Sequence, residues 1–486
     1  TMPKFLFATL LITLLFSCRS KENFPSIDDR VASPIDVAAH PSGSHFYILN
    51  TDFDRTYNIG SILTVDAEGI KVSAVEVPRM GRSITVAGND LLITTDRQDD
   101  DDENPKALLF DVTDPANPAL KKTWNLDCTP VNAVLRANYS YFAVSCLGGA
   151  LWVGELKAER SESTLQHVRS YGGTRRALHI DPVRGLLYGF FTRLGRQDGA
   201  FRTDTERLDT VAYADSIQNI VLAEVPNEVP DSFEDKRGVR SDRTTRRPYQ
   251  FFVYDLTAGA AAGFPQILDF DDDVYTTELR WMYFNVTNFD GTVDNTLSSK
   301  DPNYKHYRTN FWDAEPDPID PNVFYLSHRN FPGEGGAFAN HVVRVRLVGD
   351  PRATTEVGGV TQPAFTSTYF EFERVYGFAG IESNPLYYPG DIEVLNVGGQ
   401  NLLLVNHFRD LVHWARADTY FSVAAKVIDE NYWVAETSNN QDPLNSYFQI
   451  AANSDGKIIA GSFYGNAVIL LDVDPGADIT ELKRIE

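Results

Sequence analysis

The segment from residue 311 to residue 317, FWDAEPD, carries three carboxylates at short spacing. Two carboxyl groups that flank a glycosidic bond can act as the acid and the base, or as the nucleophile, of its hydrolysis. Asp313, Glu315 and Asp317 are therefore candidate catalytic acids. Acidic residues next to prolines are also frequent in turns, where their side chains accept hydrogen bonds from backbone amides. A structural role therefore stays open.

Two other stretches are dense in acidic side chains that could bind calcium. Calcium takes roughly six to eight oxygen ligands, mostly from carboxylates and carbonyls. Neither stretch has the glycine and the distal glutamate of an EF-hand, so a solvated acidic loop is the alternative. The candidate ligands are Asp96, Asp99 and Asp101 in the first stretch and Asp269, Asp271 and Asp273 in the second.

A run of basic residues stands out from an acidic chain of 44 Lys and Arg against 67 Asp and Glu, with a net charge of −23. The acidic surface of the whole chain repels phosphate backbones, so nucleic acid is not expected as a partner. The basic run could instead dock an acidic protein partner or lipid headgroups, and a solvated loop is the alternative. The candidate partner-binding residues are Lys236, Arg237, Arg240, Arg243, Arg246 and Arg247.

Several familiar enzyme motifs are missing from the sequence. Neither HExxH nor CxxCH occurs, which disfavours a zinc protease and covalently bound haem. No GxSxG, P-loop or Rossmann glycine pattern stands where its chemistry would need it. No familiar catalytic motif therefore accompanies the candidate acids, and calcium is the one cofactor that the residues suggest.

The first residues have the anatomy of a bacterial export signal. Residues 5–16 form one apolar run behind Lys4, too short for the roughly 20 residues that span a bilayer. The sequence Leu15-Phe16-Ser17-Cys18 resembles a lipobox, in which the cysteine is lipidated before cleavage to its left. The resemblance implies a signal peptide over 1–17 and a lipidated tether over 18–33. Arg19, in place of an aspartate after the cysteine, favours an outer-membrane lipoprotein that faces the periplasm or the cell surface. A plain signal peptide with an incidental Cys18 is the alternative.

The two remaining cysteines, Cys128 and Cys146, flank a segment that reads as two strands with a turn near residues 137–139. Folding this hairpin brings the two sulfurs nearly opposite each other, and an exported compartment permits oxidation. We expect a disulfide between them, with a pair of buried free thiols as the alternative.

The elements that must position these residues repeat along the chain as strand, tight turn, strand. Repeats start at residues 35, 83, 131 and 176, so the spacings are 48, 48 and 45 residues, in the range of four-stranded propeller blades. A third strand that ends in Asp and a turn recurs at residues 108–112, 252–256 and 469–473. The pattern predicts an all-β chain of repeated sheets.

Two of these repeats carry a family resemblance. Residues 107–120, ALLFDVTDPANPAL, resemble the LVIVD repeat of bacterial surface propellers. The turn His40-Pro41-Ser42-Gly43 before Tyr47 is similar to YVTN-type and lactonase-like propeller repeats. The resemblance implies a β-propeller scaffold; the LVIVD family implies no settled activity, and no lactonase catalytic set is present.

We therefore expect a β-propeller over residues 34–486, with seven four-stranded blades. Residues 195–249 form a charged insertion between the second and third strands of blade four. The later blades are expected at residues 311–375, 392–434 and 448–485. Eight blades result if residues 277–289 form a sheet of their own.

The expected function is a lipid-anchored binding or scaffold module for a protein partner or a surface ligand, because propeller loops vary on a rigid frame. The alternative is an exported propeller hydrolase of glycans or lactones, with Asp313, Glu315 and Asp317 at the channel mouth. Acids that converge on one pocket favour the hydrolase, and a channel free of acids favours binding.

Overall fold

The computed structural model describes residues 25–486 except for 54–55, 58, 79, 97–103, 148–149, 169–175, 191–250, 269–285, 288–292, 295–310, 329–340, 351, 353, 358–359, 364–369, 379–386, 411–418, 429–432, 435–446 and 463–464. Within this part, no helix has the length and apolar character needed to cross a membrane. Several predictions lie outside the described residues: those on Cys18, the basic residues 236–247, Asp99, Asp101, Asp269, Asp271 and Asp273.

The first four sheets are four-stranded and antiparallel, each built from consecutive strands. Blade one consists of β1 (Pro34–Ala39), β2 (His45–Asn50), β3 (Gly60–Asp66) and β4 (Lys71–Val77). Blade two consists of β5 (Gly81–Ala87), β6 (Asp90–Thr95), β7 (Lys106–Asp111) and β8 (Ala119–Asn125). Blade three consists of β9 (Pro130–Val134), β10 (Tyr141–Cys146), β11 (Leu151–Glu155) and β12 (Thr164–Val168). Blade four consists of β13 (Ala177–Asp181), β14 (Leu186–Phe190), β15 (Phe251–Asp255) and β16 (Gln266–Leu268).

The last three blades are less regular. The short strands β17 (Val286–Thr287) and β18 (Val293–Asp294) precede blade five, which is formed by β19 (Phe311–Pro316), β20 (Val323–His328), β21 (His341–Leu347) and β24 (Phe370–Phe378). A separate hairpin, β22 (Thr354–Val357) and β23 (Val360–Pro363), lies between β21 and β24. Blade six has β25 (Tyr387–Val397), β26 (Gln400–Asp410) and β27 (Thr419–Val427). After β28 (Trp433–Val434), blade seven has β29 (Tyr447–Ala452), β30 (Lys457–Ser462), β31 (Ala467–Val473) and β32 (Ile479–Ile485). Two single-turn 3-10 helices, Arg160–Glu162 and Ala260–Ala262, complete the described elements.

The first strand of each blade faces the centre of the molecule. These seven strands, β1, β5, β9, β13, β19, β25 and β29, contact one another in chain order, and β29 returns to β1. The prediction of a seven-bladed β-propeller is therefore confirmed. The eight-bladed alternative is not: within the described residues β17 and β18 add to the edge of blade five, where β17 runs parallel to β24.

The ring closes without a strand exchanged between the two ends of the chain. Apolar side chains of blade one, among them Phe46 and Ile48, pack in one cluster with Ile459 and Leu470 of blade seven. The Asn453 side-chain amide adds a buried hydrogen bond to the Gly43 carbonyl, 2.7 Å. Side-by-side packing of two complete blades therefore closes the propeller.

Blade four is interrupted where the sequence predicts its insertion. Strands β14 and β15 pair antiparallel from Leu186–Asp255 to Phe190–Phe251, so residues 191–250 separate the second and third strands.

The expectation for blade six is partly wrong. Within the described residues, 433–434 pair parallel with β24 of blade five and not with β27. Blade six therefore has three described strands.

The hairpin of blade three carries a disulfide between Cys128 and Cys146, whose Cα atoms are 5.9 Å apart. Its turn has Asn138 in the left-handed region, at φ 58°. Asparagine tolerates this conformation better than most residues because its short polar side chain can hydrogen-bond locally. The turn brings Cys146 into register with Pro130, and the predicted disulfide is present.

Candidate functional site

A cavity of about 320 Å³ lies at the centre of the propeller and is lined by all seven first strands. Its polar lining is dominated by carboxyl groups, supplied by blades one, five and six. We call this cavity the acidic channel; its carboxyl groups are those of Asp36, Asp313, Glu315, Asp391 and Glu393.

A β-bulge recurs at the same point in most of the first strands and places polar residues on the channel wall. The pairing of first and second strand shifts register after Pro34, Gly81, Phe311, Pro389 and Tyr447. An extra residue at a bulge leaves the ladder locally unpaired and re-aims side chains. In blades one, five and six the residue at or next to this bulge is an aspartate that reaches the next blade.

The three aspartates of the acidic channel each accept a hydrogen bond from the blade that follows their own. The Ile84 amide donates to Asp36 Oδ2 at 2.8 Å, and the Ile392 amide donates to Asp313 Oδ2 at 3.0 Å. The Ile450 amide donates to Asp391 Oδ2 at 2.8 Å. Such a hydrogen bond stabilises a fold by about 0.5 to 1.5 kcal/mol, and by about 1.5 to 3 kcal/mol when its acceptor is ionised. The aspartates therefore hold the innermost strands together while facing the channel.

Burial holds the pKa values of all five channel carboxyls above their usual range. For Asp36, desolvation raises the pKa to about 7, although the Ile84 amide and the Arg176 guanidinium both favour the charged form. Burial also raises the pKa values of Asp313 and Glu315. At neutral pH the acidic channel therefore retains protons that exposed carboxylates would have lost.

The carboxyl groups also raise one another's pKa values. After burial, the charge of Asp313 and that of Asp36 raise the pKa of Asp391. Burial and then the charges of Asp391, Asp313 and Asp36 raise the pKa of Glu393. The side chain of Asp391 hydrogen-bonds to Asp313, so this pair can share a proton. Protons in the acidic channel therefore belong to a coupled group and not to single residues.

Two arginines partly offset this negative charge. Arg136 lowers the pKa of Glu315, and burial in turn lowers the pKa of Arg136 itself. Arg176 lies over the ring of Trp312, its guanidinium carbon 4.2 Å from the ring centroid, and lowers the pKa values of the nearby aspartates. Its backbone carbonyl accepts a hydrogen bond of 2.7 Å from the Asn132 side chain in blade three.

Two buried polar atoms on the channel wall have no hydrogen-bond partner among the described residues. They are Oε1 of Gln449 and Nε2 of His179, whose side chains are 8% and 2% exposed. The His179 ring stacks on Phe324 with 4.1 Å between centroids, and burial lowers its pKa well below the usual range. An unpaired buried polar atom costs free energy. A ligand that forms a hydrogen bond with either atom would therefore be stabilised in the channel.

The acids predicted at the channel mouth are divided by the structure. Asp313 and Glu315 line the acidic channel. Asp317 instead belongs to the turn after β19: its Oδ1 accepts the amides of Ile319 and Asp320, both at 2.9 Å. Its Oδ2 accepts the Tyr325 hydroxyl at 2.9 Å. The structure therefore does not bring Asp317 to the channel: its proline-rich segment forms a turn, which is the structural alternative.

Sequence reasoning missed Asp36, Asp391, Glu393 and Gln449 on the channel wall. The signal was present in the repeat, since the inter-blade position falls just before an aliphatic residue in most blades. Aligning the blades at that position would have brought together, in chain order, Asp36, Ser83, Asn132, Arg176, Asp313, Asp391 and Gln449.

The calcium hypothesis finds no support in the described part of the chain. There, no three His, Cys, Asp or Glu side chains are placed to share a metal ion. Asp96, the described member of the predicted ligands, forms a salt bridge with Arg82 and accepts a 3.3 Å hydrogen bond from Thr129. The other proposed ligands lie outside the described residues.

No protein-family model matches the chain, and no curated protein sequence matches it. Among solved structures, the periplasmic gluconolactonase PpgL of Pseudomonas aeruginosa is 11% identical, with a TM-score of 0.46 over 91% of this chain and 96% of its own. Saccharomyces cerevisiae Sqt1 is 8% identical, with a TM-score of 0.42 over 94% and 87%. Sqt1 of Chaetomium thermophilum, bound to the N-terminus of ribosomal protein L10, is 10% identical, with a TM-score of 0.42 over 94% and 90%. At these identities the similarity concerns the fold alone.

Proposed function

We propose that this protein is an exported β-propeller that binds a ligand, or a side chain of a protein partner, in its acidic channel. The observation that carries the proposal is the convergence of five carboxyl groups and two unpartnered polar atoms on one cavity of about 320 Å³. That volume lies within the usual range of small-molecule sites, roughly 300 to 1,000 Å³. The channel thus combines space with hydrogen-bonding groups that are not satisfied by the fold.

Convergent acids were the feature expected to favour a hydrolase, yet the contacts of these acids favour binding. Asp36, Asp313 and Asp391 each hold a backbone amide of the next blade, so they are committed to the fold. Asp313 and Asp391 also lie within hydrogen-bonding distance of each other. Glycosidases keep their two carboxyls about 5 to 9.5 Å apart, to leave room for the sugar and water.

Export and lipid anchoring complete the proposal. Their support is the apolar run of residues 5–16 and the lipobox-like segment that ends in Cys18. The Cys128–Cys146 disulfide agrees with an oxidising compartment. We accordingly propose an outer-membrane lipoprotein whose propeller faces the periplasm or the cell surface.

The test is to extract the full chain from its native membranes in mild detergent and identify co-purifying molecules by mass spectrometry. A matched variant, Glu393→Gln, removes one channel carboxyl, while Glu68→Gln makes the same change on an exposed turn. We expect a molecule that co-purifies with the wild type and with Glu68→Gln but is depleted with Glu393→Gln. Equal recovery from all three chains would contradict binding in the acidic channel.

A hydrolase remains the second candidate because Asp313 and Asp391 form a hydrogen-bonded carboxyl pair of raised pKa. Such a pair can supply a general acid and a general base. Its test is hydrolysis of aldonolactones by the wild type and by Asp313→Asn, because the close contact of the pair argues against a glycosidase. Turnover that is lost in Asp313→Asn, whose folding is checked by circular dichroism, would favour the enzyme over the binding module.

A further inference from the structure

We propose that the acidic channel binds an organic cation, and that a primary ammonium or a guanidinium group is its specific ligand. This inference rests on the proposed function, because it names the chemistry of the group bound there. The cation would lie beside the carboxyls of Asp36, Asp391 and Glu393 and donate a hydrogen bond to Gln449 Oε1.

The first argument is the charge balance of the channel. Five carboxyl groups face the two guanidinium groups of Arg136 and Arg176, so full ionisation would leave a surplus of three negative charges, five minus two. The channel relieves this surplus by keeping protons on its carboxyls. A bound cation relieves it as well, and in a desolvated site the attraction is far stronger than in water.

The second argument is independent of charge and concerns a buried hydrogen-bond acceptor that has no donor among the described residues. Gln449 Oε1 is a buried acceptor without a donor among the described residues. Gln449 lies on β29, between β1 with Asp36 on one side and β25 with Asp391 and Glu393 on the other. A ligand that satisfies this oxygen must donate a hydrogen bond, and ammonium and guanidinium groups are donors only.

The third argument separates an organic cation from a metal ion. Within the described chain no three acidic, histidine or cysteine side chains are placed to share a metal. Calcium needs about six to eight oxygens, and magnesium needs near-ideal octahedral geometry. A cavity of about 320 Å³ that offers spread carboxyls and one amide oxygen suits a larger cation with several N–H donors.

Five of the seven blades supply titratable groups that face the proposed cation. Blade one supplies Asp36, blade three Arg136, and the start of blade four Arg176 and His179. Blade five supplies Asp313 and Glu315, and blade six Asp391 and Glu393. The wall segments of blades two and seven add no titratable group. Since the acids of this set are held partly protonated, binding of a cation should release protons.

The test uses the full chain and a matched pair of probes, 1,5-diaminopentane and the neutral 1,5-pentanediol, in isothermal titration calorimetry. The diamine should bind and the diol should bind at least about tenfold more weakly, the ratio expected when one close charge pair is lost. Titrations in buffers of different ionisation enthalpy should show net release of protons at pH 6.5. Affinity for the diamine should rise between pH 5 and pH 7, as the carboxyls give up their protons.

Three variants assign the binding to the channel. Glu393→Gln and Gln449→Leu should each weaken diamine binding at least about tenfold, the first by loss of a charge and the second by loss of the acceptor. Glu68→Gln, on the exposed turn after β3, should bind as the wild type does. Equal binding of diamine and diol, or unchanged diamine binding in Glu393→Gln, would overturn the inference.

The outcomes also separate this inference from the proposed function. If the diol or another neutral probe binds and Gln449→Leu abolishes that binding, the channel is a binding site but not one for cations. If neither probe binds while Glu393→Gln still loses a natively co-purified molecule, the proposed function stands and the cation inference fails. If no molecule depends on the channel at all, both fail.

Discussion

The protonated state of the acidic channel makes the stability of the propeller depend on pH, and Asp36→Asn tests this most sharply. Burial raises the pKa of Asp36 from its usual 3.8 to about 7 in the folded chain. The folded state therefore holds this proton more tightly than the unfolded state does. Because ν, the number of bound protons, is then larger in the folded state, the free energy of unfolding falls as pH rises through this interval.

The size of the effect follows from the shift. For one carboxyl with a pKa of 3.8 unfolded and about 7 folded, raising the pH from 5 to 8 costs roughly 2 to 3 kcal/mol of stability. The side-chain amide that Asp36→Asn introduces cannot ionise, so this loss disappears in the variant. The substitution also removes a charge that raises the pKa values of Asp391 and Glu393, which flattens the dependence further.

The substitution has a constant cost that must be separated from this pH effect. Asp36 accepts amides with both oxygens, from Val37 at 2.9 Å and from Ile84 at 2.8 Å, and an amide side chain has one oxygen only. The variant therefore loses one hydrogen bond, at about 1 to 3 kcal/mol and at every pH. The pH dependence, and not the stability at one pH, is the informative quantity.

The assay is urea unfolding of the wild type, Asp36→Asn and Glu68→Gln at pH 5, 6, 7 and 8, followed by tryptophan fluorescence. We expect the wild type and Glu68→Gln to lose roughly 2 to 3 kcal/mol more than Asp36→Asn between pH 5 and pH 8. The reasoning is refuted if Asp36→Asn shows the same pH dependence as the wild type, because Asp36 would then have an ordinary pKa.

Three further predictions concern the rest of the chain. Arg136→Gln removes the charge that lowers the pKa of Glu315, so it should destabilise the fold by about 2 kcal/mol at pH 8 and by less at pH 5. Urea unfolding at both pH values measures this difference, and an equal loss of stability at both would contradict the role of Arg136. Replacing Cys128 and Cys146 by serine opens a loop with a sequence separation of 18 and should cost about 3 kcal/mol, measured against the oxidised wild type, whereas unchanged stability would show that the disulfide is dispensable. Cys18→Ala should abolish incorporation of labelled palmitate and move the protein out of the membrane fraction; continued labelling would exclude Cys18 as the lipidated residue.

The blade architecture was predictable because its signals are local. In the first three blades, strands of five to seven residues repeat at near-constant spacing, and Leu108 to Val112 shows the alternation of a strand between sheets. The Cys128–Cys146 disulfide was predictable for the same reason, since both residues belong to one hairpin. Strand β28 was not, because its pairing with blade five joins segments far apart in sequence.

The candidate site was only partly predictable because its residues come from different blades. Asp313 and Glu315 attracted attention as neighbours in sequence, whereas Asp36 and Glu393 meet them only when the ring closes. Asp317 misled because spacing in sequence carries no information on whether a carboxylate faces a channel or caps its own turn. The raised pKa values, likewise, arise from burial and from charges on other blades, which a linear sequence does not show.

The most direct test of the central claim is a structure of the full chain in complex with the molecule that co-purifies with it. We predict density for a bound group inside the acidic channel, within hydrogen-bonding distance of Glu393 and Gln449. Density for that molecule only on the outer strands of the blades, with the channel holding nothing but water, would contradict the claim that the acidic channel is the binding site.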